Sequence, residues 1–297
     1  MVEPARPPSS ARRLVYLGTP EAAVAPLRAL VDAGFEIALV VSRPDRRRGR
    51  GGALSPSPVK AAATELGLTV TDALDDVLGV DADLGVVVAY GRIIPSRILE
   101  QLPMINLHFS LLPRWRGAAP VERALLAGDI ETGVCVMDVD VELDTGAVHA
   151  VARTPIGPED SAASLRSRLS SMGAGLLVDT LRAGLGRSTP QQGEVTYAAK
   201  IDPSELCIEW SAPATDIDRL VRVGGAYSTF RGTRLKVHAV RPVEHGSAPP
   251  GTLDGLVVVC GAGAVELVEV QPEGRARQSA RDWVNGTRPT PDERLGR

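Results

Sequence analysis

"DLGVVVAYGRIIPSRILEQLPMINLHFS", residues 83–110, reads as strand, helix, strand. The run after Asp83 is apolar on both sides of the pleat, as a strand buried on both faces of a parallel sheet must be. "PSRILEQL" has the composition of a short helix, and "MINLHFS" returns to a strand. Such a unit lays its two strands parallel, with the helix crossing over a face of the sheet.

The same alternation extends outward. "LVYLG" (14–18) is a strand, followed after Thr19-Pro20-Glu21 by a helical pattern that runs to Val31 and stops near Gly34. "EIALVVS" (36–42) is a strand rich in β-branched residues. "SPVKAAATELG" is a helix with Ser57 as cap, Pro58 at its first position and Gly67 at its end. "LTVTDA" is a further strand. Downstream, "PVERALLAG" (120–128) is helical, and "TGVCVMDVD" and "AVHAVARTPI" form a strand pair joined by "VELDTG". "SAASLRSRLSSMGAGLLVDTLRAG" (161–184) is a long helix with Gly173 and Gly175 as points of relaxation. The pattern predicts an α/β fold, a doubly wound and mostly parallel sheet. Its ligand is expected outside the carboxyl ends of the strands.

From Leu185 to Pro203 the pattern weakens around Pro190, Gln191, Gln192 and Gly193, as in a connector. Beyond it come short strands and turns, "YSTFRGTRLKVHAV" and "GTLDGLVVVCGAGAVELVEV", then a short helix, "SARDWVNG". This predicts a small C-terminal β-barrel, OB-like. The expected organisation is a tail over 1–13, a catalytic domain over 14–185, a linker over 186–203, the barrel over 204–288 and a tail over 289–297.

The 297 residues are 44% hydrophobic and 23% charged, enough for two cores. With 3% aromatics, those cores must be built from Val, Leu, Ala and Ile. A net charge of −3 argues against a uniformly basic surface. Residues 204–297 carry 12 Lys/Arg and 12 Asp/Glu, a net of zero, so the second domain is not strongly basic. No apolar run approaches the roughly 18 residues of a membrane span, and the start lacks a signal peptide's apolar segment. A cytoplasmic, monomeric protein with no membrane or DNA partner is expected. Cys135, Cys207 and Cys260 form no paired spacing and read as small core residues.

Asn106 and His108 alternate in the strand "MINLH" and so share a face. A buried amide or imidazole without a partner costs about 1–3 kcal/mol. Neighbouring backbone can satisfy both. Alternatively they serve chemistry with Asp144, in the turn "VELDTG", whose carboxylate could orient the imidazole. Two donors and an acid suit addition of a nucleophile to a carbonyl, the donors holding the oxyanion and the acid taking the proton. No activated Ser or Cys nucleophile is evident, so direct transfer between two bound substrates is expected. No metal site is expected. His149, His238 and His245 have no evident partners.

"SRPDRRRGRGGALSPSP" carries Arg43, Arg46, Arg47, Arg48 and Arg50 against Asp45. Its glycines do not match a phosphate-loop fingerprint. It is either a solvated charged loop or a mobile arm that grips phosphates and orders on contact. Trp115, between Arg114 and Arg116, is either a packing residue or a platform for a terminal base.

"INLHFSLLPRWRGAAP" followed by "ETGVCVMDVDVELDTG" resembles the signature of the 10-formyltetrahydrofolate-dependent formyltransferases. So do "LGTPE", "RPDRRRGRGGALSPSPVKAAA", "VVVAYGRIIP", "VTYAAKI", "IEWS" and "VEVQPEGRARQSARDWVNG", which together span nearly the whole chain. The resemblance is strongest to members that act on tRNA. It implies a Rossmann-like formyltransferase domain and Asn106, His108 and Asp144 as the catalytic trio. It also implies folate contacts at Ser110, Leu111, Leu112 and Pro113, at Ala89, Tyr90 and Gly91, and at Val139 and Asp140. The implied donor is 10-formyltetrahydrofolate, with no metal. The implied acceptor is the amino group of charged initiator tRNA, gripped by Arg43, Arg46, Arg47, Arg48, Arg50, Arg114 and Arg116. A formyltransferase for a small amine, of sugar or glycinamide type, is the alternative, and a silent RNA-binding protein a further one. Phe109 stands where the family is expected to have a small residue.

Overall fold

The computed structural model describes residues 4–48, 52–244, 246, 248–290 and 293–296, with the side chains of residues 48 and 53 left undescribed. The chain runs through β1 (Arg13–Gly18), a 3-10 turn (Glu21–Ala23), α1 (Val24–Asp32), β2 (Glu36–Val41), β3 (Arg46–Arg48), β4 (Ala53–Ser55) and α2 (Pro58–Glu65). Next come β5 (Val70–Thr71), β6 (Leu84–Val88), α3 (Ser96–Leu99), β7 (Met104–His108), β8 (Arg116–Gly117) and α4 (Pro120–Ala127). There follow β9 (Glu131–Asp138), β10 (Val148–Pro155), α5 (Ala162–Ala183), β11 (Tyr197–Ala198) and α6 (Ala214–Val223). The last elements are β12 (Tyr227–Phe230), β13 (Thr233–Val243), β14 (Leu253–Asp254), β15 (Val257–Val259), β16 (Ala264–Pro272), β17 (Gln278–Ser279) and α7 (Ala280–Thr287).

These elements divide into two compact units. The first comprises Met1–Val121, Glu131–Pro155 and Arg166–Ala199, and the second Glu122–Ile130, Ile156–Leu165 and Lys200–Arg297. In the first, seven strands form a sheet in the order β10-β9-β7-β6-β1-β2-β5. The five strands from β7 to β5 are parallel; β9 runs against β7 and β10 against β9. From β1 the chain winds outward to β2 and β5, then crosses back to place β6 on the other side of β1. This reversal opens a crevice at the carboxyl ends of β1 and β6. Every residue of β6 is buried, as its unbroken apolar run requires.

Local signals act where they stand in the sequence. The Ser57 hydroxyl accepts from the Lys60 N–H at 3.0 Å, with Pro58 at the first helical position, and Gly67 takes φ +70° beyond the end of α2. By contrast, α5 passes through Gly173 and Gly175 without a break. A Cβ on Gly173 would lie 2.7 Å from Leu107, so this glycine lets the helix close on β7 instead of loosening it. Only Val70–Thr71 of "LTVTDA" is a strand, because the Thr71 hydroxyl takes the Ala73 N–H and turns the chain away. The arginine-rich segment, read from sequence as a loop or mobile arm, forms a hairpin in which β3 pairs antiparallel with β4. Asp45 at its base pairs with Lys60 at 2.7 Å.

Residues 186–199, expected as a linker, lie with the first unit: β11 pairs parallel with β8, and Thr189 exchanges both backbone bonds with Val148. The amino-terminal tail is also tied down from Ala5, whose N–H donates to the Leu99 carbonyl at 2.8 Å, and Ala11 is buried.

The second unit holds an antiparallel sheet in the order β12-β13-β16-β15-β14, with β17 on β16. Its core gathers Ile208, Trp210, Phe230, Val258, Leu267 and Trp283. Phe230 meets Trp283 edge to face at 5.2 Å, and the Trp210 indole N–H donates to Ser228 Oγ at 2.9 Å. Two of its features differ from the sequence reading. α6 lies where only strands and turns were expected, burying Ala214, Ile217 and Val221 at helical spacing. The expected carboxy-terminal tail seats Leu295 in the core, while Glu293 grips Arg231.

Candidate active site

Asn106 and His108 project from β7 toward a cavity of about 500 Å³ in the first unit. Pro20 after β1 and residues 89–94 after β6 close it on one side, and residues 139–144 on the other. β9 runs against β7, so it delivers the chain beside Ile105. Residues 139–144 must then fold back to bring Asp144 to the strand's far end. Asp144 arrives with a left-handed backbone, φ +53°, rare outside glycine. Gly146 completes the turn; a Cβ there would lie 1.9 Å from the Asp138 carbonyl oxygen.

The three polar groups converge. Asn106 Nδ2 donates to Asp144 Oδ1 at 3.4 Å, and His108 Nδ1 lies 3.7 Å from Asp144 Oδ2. The His108 and Asp144 side chains are 7% and 11% exposed, so little water screens them. His108 Nε2 faces the Trp115 carbonyl at 2.9 Å. A carbonyl only accepts, so Nε2 carries a proton and Nδ1 is turned to the carboxylate. The Gly117 N–H donates to Asp144 Oδ2 at 2.7 Å. A carboxylate, an imidazole and an amide thus share one wall of a mostly apolar cavity, suited to a flat heterocycle beside a site of proton transfer.

Of the residues expected against the folate, Ala89, Tyr90, Gly91, Val139 and Asp140 line this cavity. Ala89 and Gly91 both take positive φ, +47° and +72°. The Tyr90 hydroxyl is buried and lacks a hydrogen-bond partner. Ser110, Leu111, Leu112 and Pro113 do not line it. Ser110 is fully buried and its hydroxyl donates to the Arg114 carbonyl at 2.6 Å. Leu111 packs against Gly133, and the Leu112–Pro113 peptide is cis. The turn curls in on itself because its hydroxyl satisfies its own carbonyls. Its contribution to the cavity wall is indirect: it presents the Trp115 carbonyl to His108. Phe109 lines the cavity beside His108.

The expected arginines are dispersed. Arg43 donates to the Gly91 carbonyl at the cavity edge. Arg46 and Arg47 are exposed on the hairpin, where Arg47 donates to the Gly52 carbonyl at 2.9 Å. Arg50 and the Arg48 side chain lie outside the described residues. Arg114 stacks over the Trp115 ring at 4.4 Å. Arg116 is held by Gln191, Nε and Nη2 donating to Oε1 at 3.0 and 2.7 Å.

Gln191, in the stretch read as connector, escaped the sequence reading together with Gly117 and Thr196, whose hydroxyl accepts from the Trp115 N–H at 2.9 Å. "PQQG" has no periodicity and no motif, so nothing local signalled them. His149, for which no partner was evident, meets Asp138 Oδ1 through Nε2 at 2.7 Å, and its Nδ1 is buried without a partner. His238 meets Gln271 at 3.0 Å; His245 lies outside the described residues. On β9, opposite His108, Cys135 donates to the Ser110 carbonyl at 3.1 Å, and burial pushes its thiol up to about 11. Among the described residues no group of three or more His, Cys, Asp or Glu is placed to hold a metal, and no helix is long and apolar enough to cross a membrane.

The formyl transferase family pattern matches residues 12–181, and its C-terminal domain pattern residues 200–288. The methionyl-tRNA formyltransferase of Roseobacter denitrificans is 50% identical over 293 residues, covering 93% of this chain and 96% of that protein. Two solved structures share the fold. One is an N-formyltransferase from Helicobacter canadensis in complex with folinic acid and dTDP-3-aminofucose, with TM-score 0.66, 16% identity, and coverage of 86% of this chain and 98% of that one. The other is HypX from Aquifex aeolicus in complex with tetrahydrofolic acid, with TM-score 0.63, 18% identity, and coverage of 93% of this chain and 47% of that one.

Proposed function

The chain belongs to the formyl transferase family, and we propose that within it this protein moves the formyl group of 10-formyltetrahydrofolate onto the free amino group of methionyl-tRNA. The relative at 50% identity over nearly its whole length is named for its reaction on methionyl-tRNA, which favours that acceptor over a small amine. The observation that carries the mechanism is the meeting of Asn106, His108 and Asp144 on one wall of the cavity. The donor's ring lies between the segments at 89–91 and 139–140. The acceptor's amine attacks the formyl carbon, and the carbonyl electron pair moves to oxygen. Asn106 Nδ2 keeps one hydrogen for that oxyanion beside the bond to Asp144, and the His108 ring, held by the Trp115 carbonyl, packs beside the Asp144 carboxylate. Asp144 takes the amine's proton, directly or through water. The adduct then collapses: the carbonyl re-forms, the bond to the folate nitrogen breaks, and that nitrogen takes up the proton Asp144 received. Preorganised donors of this kind contribute about 10²–10³ in rate each.

Exposed Arg46 and Arg47 are proposed to contact tRNA phosphates. The second unit is proposed to position the tRNA, since a substrate larger than the cavity needs a second surface to fix its approach. The decisive test offers the purified protein 10-formyltetrahydrofolate with charged initiator tRNA or with a nucleotide-linked amino sugar. Formyl transfer to the tRNA alone is expected; transfer to the sugar alone would overturn the assignment.

A further inference from the structure

We propose that Gln191 is a positioning residue that holds the turn carrying Asp144, with Arg116 as its anchor. The inference rests on the proposed role of Asp144. The Gln191 side chain uses its entire hydrogen-bonding capacity. Nε2 donates to the Asp144 and Gly146 carbonyls, both at 2.9 Å, while Oε1 accepts from Nε and Nη2 of Arg116. The chemistry of the partners allows one orientation only: a guanidinium has no acceptor and a carbonyl no donor. The bonds to Arg116 are charge-assisted, and so the stronger pair anchors the amide. The amide in turn clamps the backbone on both sides of Thr145, where Asp144 sits in a left-handed conformation that persists only when its surroundings hold it. Arg116 is itself fixed by strand pairing with Tyr197, and the next residue, Gly117, donates to the Asp144 carboxylate. One short segment therefore steadies Asp144 twice, at its side chain directly and at its backbone through Gln191. This gives Arg116 a task other than gripping phosphate.

The test compares full-length Gln191→Met and Gln191→Glu with Asp144→Asn. Methionine keeps the length and removes all four bonds; glutamate keeps the acceptor facing Arg116 and removes both donors to the turn. Each is expected to lower kcat about 10–100-fold with both KM values nearly unchanged. In the Asp144→Asn background the same substitution is expected to cost almost nothing further, a coupling that a merely structural role would not produce. Arg116→Ala should follow Gln191→Met in kcat, with an unchanged salt dependence of tRNA binding. Wild-type kcat in Gln191→Met or Gln191→Glu, with Asp144→Asn strongly impaired, would overturn the proposal and leave the catalytic reading standing. An equal loss in both backgrounds would also overturn it. An active Asp144→Asn would sink the catalytic reading itself. Should Gln191→Met fail to fold, Gln191→Glu and Arg116→Ala carry the test.

Discussion

The backbone N–H of Gly117 donates to Oδ2 of Asp144 at 2.7 Å, across 27 residues of chain. Gly117 has φ +123°, and a Cβ on it would lie 2.8 Å from the Ala198 carbonyl oxygen. Gly117→Ala is therefore expected to cost about 1–3 kcal/mol of stability by overpacking against backbone. It should also reduce turnover by displacing the donor to Asp144. Thermal denaturation and formyl transfer on the same preparation measure both, and an unchanged melting temperature would contradict the packing argument.

Asn106→Ala, His108→Ala and Asp144→Asn are each expected to leave a folded protein and to lower kcat by about 10²–10⁴. Because Asn106 and His108 both meet the Asp144 carboxylate, any double variant should lose far less than the product of its single losses. Steady-state kinetics on the singles and doubles distinguishes this from independent contributions. Near-normal turnover in folded His108→Ala would refute the mechanism.

Neutralising Arg46 and Arg47 together should weaken tRNA binding and leave the folate KM unchanged. Every phosphate left without its arginine should flatten the dependence of log affinity on log salt by about one. Arg116→Ala, by contrast, should leave that slope alone, since its guanidinium is spent on Gln191. A titration of tRNA affinity over a range of salt concentrations separates the two classes of arginine.

Burial raises the thiols of Cys135 and Cys260 from 9.0 to about 11, whereas Cys207 is only partly buried. A thiol reagent at neutral to mildly alkaline pH should modify Cys207 first and leave the other two until the protein unfolds. In the unfolded chain both buried thiols ionise at lower pH than in the native state. The stability they contribute is therefore fully present below pH 9 and is lost as pH rises toward 11. Mass mapping of labelled cysteines and urea midpoints at pH 8 and pH 10 check the two statements.

Much of the site was legible because its signals are local. Asn106 and His108 are two apart on a strand and must share a face; a turn at Asp144 follows from Leu-Asp-Thr-Gly. The Ser57 cap and the unbroken apolar run of β6 are local in the same sense. Gly173 was misread because its lack of a side chain answers to Leu107, 66 positions earlier in the chain. Leu295 was read as tail because a single apolar residue among polar ones has no periodicity, yet the core of the second unit receives it.

The sequence by itself determined the alternating βαβ order, the parallel sheet and the residue types of the proposed chemistry, since these depend on side-chain period and turn chemistry over a few residues. Only the tertiary structure decided how Asp144 is held. Its supports, Gly117 and Gln191, come from segments far apart in sequence, and neither bears a local mark of that task. It also decided that Ser110 turns inward and that Arg116 faces Gln191. Each of these is a choice of hydrogen-bond partner. A donor's chemistry says that it must be satisfied, but which acceptor satisfies it depends on what the folded backbone brings within about 3 Å.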